Sequence, residues 1–203
     1  NSTADHTIYI GGWLVNLFAK YSFTPEYSVI LNGADSSVFT FSLKRPPIDN
    51  RRYRIITHHW SGNYRKGWDL YQELDERLTD DLSFEFHYVG NKPSGIKTKN
   101  IVYHDASAPD VLVEQLQKSH IYLTASLNEP GGMHHIEGAS CGLPVLYRES
   151  GSLPEYCSNT AFSTYSSNIS GDNIAKSSSF HSISSSKSGS PTLLAQNGHH
   201  SIE

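Results

Sequence analysis

As far as Cys157, short apolar runs alternate along the chain with segments in which apolar residues recur every three or four positions. The short runs predict strands at Thr7–Ile10, Tyr27–Leu31, Arg54–His58, Phe84–Val89, Asn100–Tyr103, Ile121–Ala125 and Pro144–Tyr147. Helical spacing puts Trp13, Leu14, Leu17 and Phe18 on one stripe, and Trp68, Tyr71, Leu74 and Leu78 on another. On the second helix Asp69, Glu73 and Glu76 fall off the stripe and are expected to face water. A third helix, Asp110 to Lys118, has Ser107 and Pro109 as start signals and should bury Val111, Leu112 and Leu116. A fourth begins after Pro130-Gly131-Gly132 and ends at Gly142-Leu143-Pro144. Strand and helix in alternation predict an α/β, Rossmann-like parallel sheet with helices on both faces. Ligands of such a sheet bind beyond the carboxyl ends of the strands, near the reversal in strand order. The loops after Thr57, Val89, Tyr103 and Ala125 are therefore where chemistry is expected.

The alternation stops near Cys157. Residues 158–190 hold 14 serines in 33 positions, too little apolar surface to offset chain entropy, so 158–203 is expected to be a mostly disordered, serine-rich tail. Asn1-Ser2-Thr3 and Asn168-Ile169-Ser170 have the form of glycosylation sequons, but the N-terminus lacks the basic and apolar regions of a secretory signal. Sixteen basic against twenty acidic residues leave a net charge of −4, which argues against a general nucleic-acid binder. No run approaches the roughly 18 apolar residues of a bilayer span, and a cytoplasmic location is the expectation. Two cysteines, Cys141 and Cys157, make no disulfide framework. The chain starts without Met, a first hint of a fragment.

Ala125 to Pro144 is the richest stretch. A strand ends, Glu129 appears, Gly131 and Gly132 turn the chain, and a helix starts with unpaired N–H groups that suit an anion. Glu137 sits about one turn into that helix, so two carboxylates can flank one ligand. Without further context they read as a loop carboxylate and a helix-start carboxylate stabilised by the macrodipole. Lys66 stands at the start of a helix, where a cation is unfavourable unless an anion is nearby. The adjacent pairs His58-His59, His134-His135 and His199-His200 project in different directions and do not make a metal-ligand pair, so no metal is expected. His134 or His135 is better placed as a ligand contact.

Glu129 and Glu137 with seven residues between them, Gly132 inside and Gly142-Leu143-Pro144-Val145 after, resemble the E-x7-E signature of retaining GT-B glycosyltransferases of family 4 (glycosyl transferases group 1). Other segments follow in the same order. Tyr27 to Phe39 is similar to the family's V-I-x-N-G-V-D-x-x-x-F stretch, and Lys66-Gly67-Trp68-Asp69-Leu70 to its K-G-x-D-x-L motif. Phe86 to Gly90 matches a strand ending in glycine, and Ser152-Leu153-Pro154-Glu155 a G-x-P-E turn. The resemblance implies a donor domain at 27–157, preceded at 1–26 by the terminal strand and helix of an otherwise missing acceptor domain. It implies a nucleoside diphosphate sugar as donor substrate, transfer of a hexose with retention, no other cofactor and no metal. The acceptor would be a glycan, a lipid or a small molecule, and the complete enzyme could associate peripherally with a membrane.

Carried over by position, the resemblance makes Glu129 the catalytic-side carboxylate on hydroxyls of the transferred sugar, and Glu137 the partner of the ribose. Gly131, Gly132, Met133 and His134 would bring backbone to sugar and diphosphate, and Lys66 would set its ammonium on the diphosphate. Fixed donors and a cation can stabilise the charge that develops on the leaving diphosphate. Gly90 and His104, in the loops around Val89-Gly90 and Tyr103-His104-Asp105, would border the base. Ser61 stands where the family has an arginine, which leaves Asn63 or Arg65 to substitute, and Gly138 replaces a more usual alanine. Two other readings stay open at this level: an inactive nucleotide-sugar-binding remnant, and a nucleotide-sugar epimerase of GT-B architecture.

Overall fold

The computed structural model describes residues 4–21, 26–42, 47, 52–79, 83–157 and, for the backbone, 163–165. These lie in one compact unit, Asn1–Ser167. Two short strands, β1 (Thr7–Tyr9) and β2 (Tyr27–Val29), pair in parallel, with helix α1 (Gly12–Phe18) between them. The main sheet consists of β3 (Tyr53–His59), β4 (Phe84–Gly90), β5 (Val102–His104), β6 (Ile121–Thr124), β7 (Val145–Arg148) and β8 (Ser163–Tyr165). Every pairing is parallel, in the order β5-β4-β3-β6-β7-β8. The chain builds outward from β3 in one direction and then returns to build from β6 in the other. The order therefore reverses between β3 and β6, at the crevice where ligands of such sheets bind.

Helices α2 (Trp68–Arg77), α3 (Pro109–Gln117), α4 (His134–Ser140) and α5 (Leu153–Cys157) join the strands. Successive side chains of a strand point to opposite faces, and the core divides accordingly. Ile55, Phe86, Tyr88 and Leu123 pack with Trp68 and Tyr71 of α2 on one face. Ile56, Val89, Tyr122 and Val145 pack with Leu112, Leu116, Cys141 and Leu153 on the other. Burial on both faces is why the central strands read as nearly continuous apolar runs.

All seven expected strands are present, with ends shifted by a residue or two. Four local expectations change. The apolar stripe of α1 is only half-buried, and Phe18 is exposed. Val111 is exposed, since Leu112 and Leu116, four apart, already define the buried side of α3. Ser107 donates to the Asp105 carbonyl rather than capping α3, which opens with Pro109 at a position where an N–H would go unpaired anyway. Asp69 does not simply face water: its carboxylate takes a two-pronged bond from Arg148, at 2.8 and 3.1 Å. The expected tail falls outside the described residues except for β8, which adds a sixth strand to the sheet beyond Cys157.

The N-terminal segment is tied to the edge of the site. Glu155 accepts the Gly12 N–H at 2.7 Å, an otherwise unpaired donor at the start of α1. The Tyr156 hydroxyl donates to the Ile10 carbonyl and accepts the Asn32 N–H at 2.8 Å. Asn32 in turn donates through Nδ2 to the Gly131 carbonyl at 2.6 Å. No helix among the described residues is long and apolar enough to cross a membrane.

Candidate functional site

The carboxyl ends of β3 and β6 converge on the loop Ala125–Met133 and the first turn of α4. Lys66 ends a short 3-10 turn, Tyr64–Lys66, that follows β3, and Glu129 lies in the loop after β6. Their side chains meet: Lys66 Nζ donates to Glu129 Oε2 at 2.7 Å. Glu129 is 3% exposed, so this ammonium compensates a carboxylate held out of water. The same pairing answers why a lysine is tolerated two residues before α2. The loop is pinned by Leu127 N–H to the Arg65 carbonyl at 2.7 Å, Asn128 N–H to Ser150 Oγ at 2.7 Å and Ser152 N–H to the Glu129 carbonyl at 2.8 Å.

Glu137 is engaged from the other side. Its Oε2 lies 2.6 Å from His58 Nε2, at the end of β3. His58 Nδ1 is 3.0 Å from the Tyr122 hydroxyl of β6, which also receives the His58 backbone N–H at 3.3 Å. An ionised carboxylate only accepts, so the contact with Glu137 calls for a proton on His58 Nε2 and leaves Nδ1 able to accept from the Tyr122 hydroxyl. Tyr122 can sit there because residue 138 is glycine. A Cβ at Gly138 would lie 2.4 Å from Tyr122 Cδ2. The departure from alanine at this position thus has a structural partner.

Further imidazoles cluster around His58. His134 bonds Thr124 Oγ1 through Nε2 at 2.8 Å, and its ring is 4.5 Å from that of His59. His59 contacts the Tyr71 hydroxyl at 3.1 Å. Burial holds His59 and His134 well below the usual histidine range, reinforced for both by neighbouring histidines and Lys66. Burial likewise pushes His135 down to about 4, against the pull of Glu129 and Glu137. These rings are neutral at pH 7. Gly132 gives the loop a close approach: a Cβ there would lie 2.6 Å from His134 Nδ1 and 2.8 Å from Glu129 Oε1. That space is bordered by a carboxylate oxygen and an imidazole nitrogen.

The other expected site residues divide into near and far. Met133 precedes α4 and is exposed, and its carbonyl accepts the Glu137 N–H at 2.9 Å, the first bond of the helix. Gly131 holds Asn32 through its carbonyl. Ser61, Asn63 and Arg65 are exposed in the loop after β3, where Asn63 Oδ1 accepts the Arg65 N–H at 2.9 Å and Ser61 Oγ the Asn63 N–H at 3.3 Å. Gly90 ends β4 beside His59. His104 ends β5 and stacks on His87, with Nε2 2.8 Å from His87 Nδ1, a strand further from the two carboxylates. His58, Tyr122 and Thr124 were not expected in the site. The position of His58 directly after Thr57 and its adjacency to His59 are the signals in the sequence, and neither points to a contact with Glu137. Among the described residues no group of three or more His, Cys, Asp or Glu side chains is arranged to hold a metal ion.

Solved structures share this fold. The chain is similar to WaaG, a glycosyltransferase involved in lipopolysaccharide biosynthesis, at 17% identity and a TM-score of 0.63, over 80% of this chain and 50% of that one. The fold is that of the GT-B glycosyltransferases. Anabaena HepE in complex with UDP and glucose matches at 15% identity and a TM-score of 0.60, over 76% of this chain and 47% of that one. The pneumococcal O-GlcNAc transferase GtfA in complex with UDP and GlcNAc matches at 19% and 0.61, over 87% and 37%. The chain spans half or less of the length of these structures. No family model matches it, and neither does any curated protein sequence.

Proposed function

We propose that this chain is the donor-binding part of a glycosyltransferase and takes a nucleoside diphosphate sugar in the crevice between β3 and β6. The observation that carries the reading is the convergence of two buried carboxylates, Glu129 and Glu137, with Lys66 at the point where strand order reverses. Lys66 and His58 each engage one oxygen of these carboxylates, and a polyol with vicinal hydroxyls supplies donors for the second oxygen of each. Glu137 would take the ribose, and Glu129 the hydroxyls of the sugar to be transferred. The diphosphate would lie against Lys66 and the backbone of Gly132, Met133 and His134, sharing the ammonium with Glu129. The structures of HepE and GtfA contain UDP with a sugar, which supports a uridine diphosphate sugar as the first donor to try.

The transfer itself would be of a hexose, with retention and without a metal ion. Residues 27–157 would form the donor domain, with 1–26 reaching it from the acceptor side. Calorimetric titration of the 203-residue chain with a panel of nucleoside diphosphates and their sugars, with chelator present, tests the reading. Binding of at least one is the expected result, and no binding of any at millimolar concentration rejects it.

A further inference from the structure

We propose that His58 is a positioning residue that aims Glu137 at the ribose of the donor, and that Tyr122 and Gly138 exist in this chain to set it. The inference rests on the donor-site reading above. His58 is wholly buried, so its Nε2 proton has Glu137 Oε2, 2.6 Å away, in place of water. An ionised carboxylate only accepts, so Glu137 calls for a proton on Nε2, and the Tyr122 hydroxyl, 3.0 Å from Nδ1 and receiving the His58 backbone N–H, holds the ring at that angle. Gly138 provides the room for the Tyr122 ring. One oxygen of Glu137 is thereby occupied and the plane of the carboxylate fixed, which leaves Oε1 to accept from a ligand in one orientation.

A charge-assisted hydrogen bond that fixes a carboxylate acts on the hydroxyls it receives, not on the whole nucleotide. The consequence is selective. Loss of His58 should remove the preference for ribose while leaving the diphosphate contacts alone, whereas a merely structural histidine would weaken every nucleotide alike.

The test titrates the full chain with ADP, GDP and UDP and with their 2′,3′-dideoxy counterparts. The wild-type chain should bind the ribose form of its preferred nucleotide about tenfold tighter than the dideoxy form, the worth of one hydrogen bond to a charged group. In His58→Phe that ratio should fall toward one with dideoxy affinity unchanged, and His58→Gln, whose amide can donate from a similar position, should restore most of it. Tyr122→Phe, which removes the bond at Nδ1 that orients the ring without emptying the core, should reduce the ratio in the same direction and serves if His58→Phe does not fold. An unchanged ratio in both variants, or an equal loss for ribose and dideoxy forms, overturns the role of His58 while the donor site stands. Equal wild-type affinity for the two forms overturns the assignment of Glu137 and the inference with it. Failure of the wild-type chain to bind any of the nucleotides overturns the donor-site reading itself.

Discussion

Lys66 Nζ and Glu129 Oε2, 63 residues apart in sequence, meet at 2.7 Å across the carboxyl edge of the sheet. The pair joins the loop after β3 to the loop after β6. Lys66 is about a quarter exposed while Glu129 is almost wholly buried.

Removal of the lysine strands the carboxylate. Lys66→Ala should cost about 1–3 kcal/mol of stability, less than a fully buried pair because the lysine keeps some contact with water. The double variant Lys66→Ala with Glu129→Gln should recover most of that loss, which urea unfolding of the wild type, the two single variants and the double measures. Nucleoside diphosphate affinity should fall in Lys66→Ala, and the deficit should shrink as salt rises, because charge attraction is what was lost.

A second expectation concerns Gly138. A methyl group there would press on the Tyr122 ring, which is fully buried and cannot swing into water. Gly138→Ala should therefore destabilise by about 1–3 kcal/mol, the usual cost of overpacking. Tyr122→Val should relieve the clash, so the double variant should be more stable than the sum of the singles implies. Thermal denaturation of the set reads the coupling.

Asp75 makes a comparable demand on the opposite face. Its carboxylate is 5% exposed and accepts three consecutive backbone N–H groups, of Lys99 at 2.8 Å, Asn100 at 2.7 Å and Ile101 at 2.9 Å. Asp75→Ala would leave those donors without a partner on the approach to β5. A loss of about 3 kcal/mol or more is expected by urea titration, with loss of amide-exchange protection at those three residues.

Most of the architecture was legible because β3, β4 and β6 are buried on both faces and show it as apolar runs. What escaped has a common physical cause. Asp75 reads as a polar residue on a helix, and only the loop returning 24 residues later gives it work. Val111 and Leu112 are equivalent by composition, and the packing of α3 decides between them. The strand Ser163–Tyr165 is hidden inside a serine-rich stretch, since β pairing uses the backbone and asks little of side chains. In the site, the spacing of Glu129 and Glu137 was readable, but the bonds of His58 to Tyr122 and to Glu137 join residues 64 and 79 apart.

Acid should weaken the fold in a specific window. Burial depresses His59 and His134 well below 6.5, and His87 and His135 to about 4. The unfolded chain protonates these rings near their ordinary pKa of about 6.5, while the folded chain resists until well below it, so the unfolded state binds more protons in between. Stability is thus fully present above about pH 7 and falls progressively toward pH 4, each ring contributing up to about 1.4 kcal/mol per pH unit. Urea midpoints across that range check it. A flat profile between about pH 7 and pH 5 would contradict neutral buried imidazoles, and His135→Phe should shallow the slope if it folds.

The most direct measurement is a crystal structure of the chain grown with UDP. The expected density places the ribose hydroxyls on Glu137, with its second oxygen still on His58, and the diphosphate between Lys66 and the backbone of Gly132 to His134. A nucleotide bound elsewhere on the sheet, or seated in the crevice with Glu137 turned away from the ribose, would contradict the donor site as described.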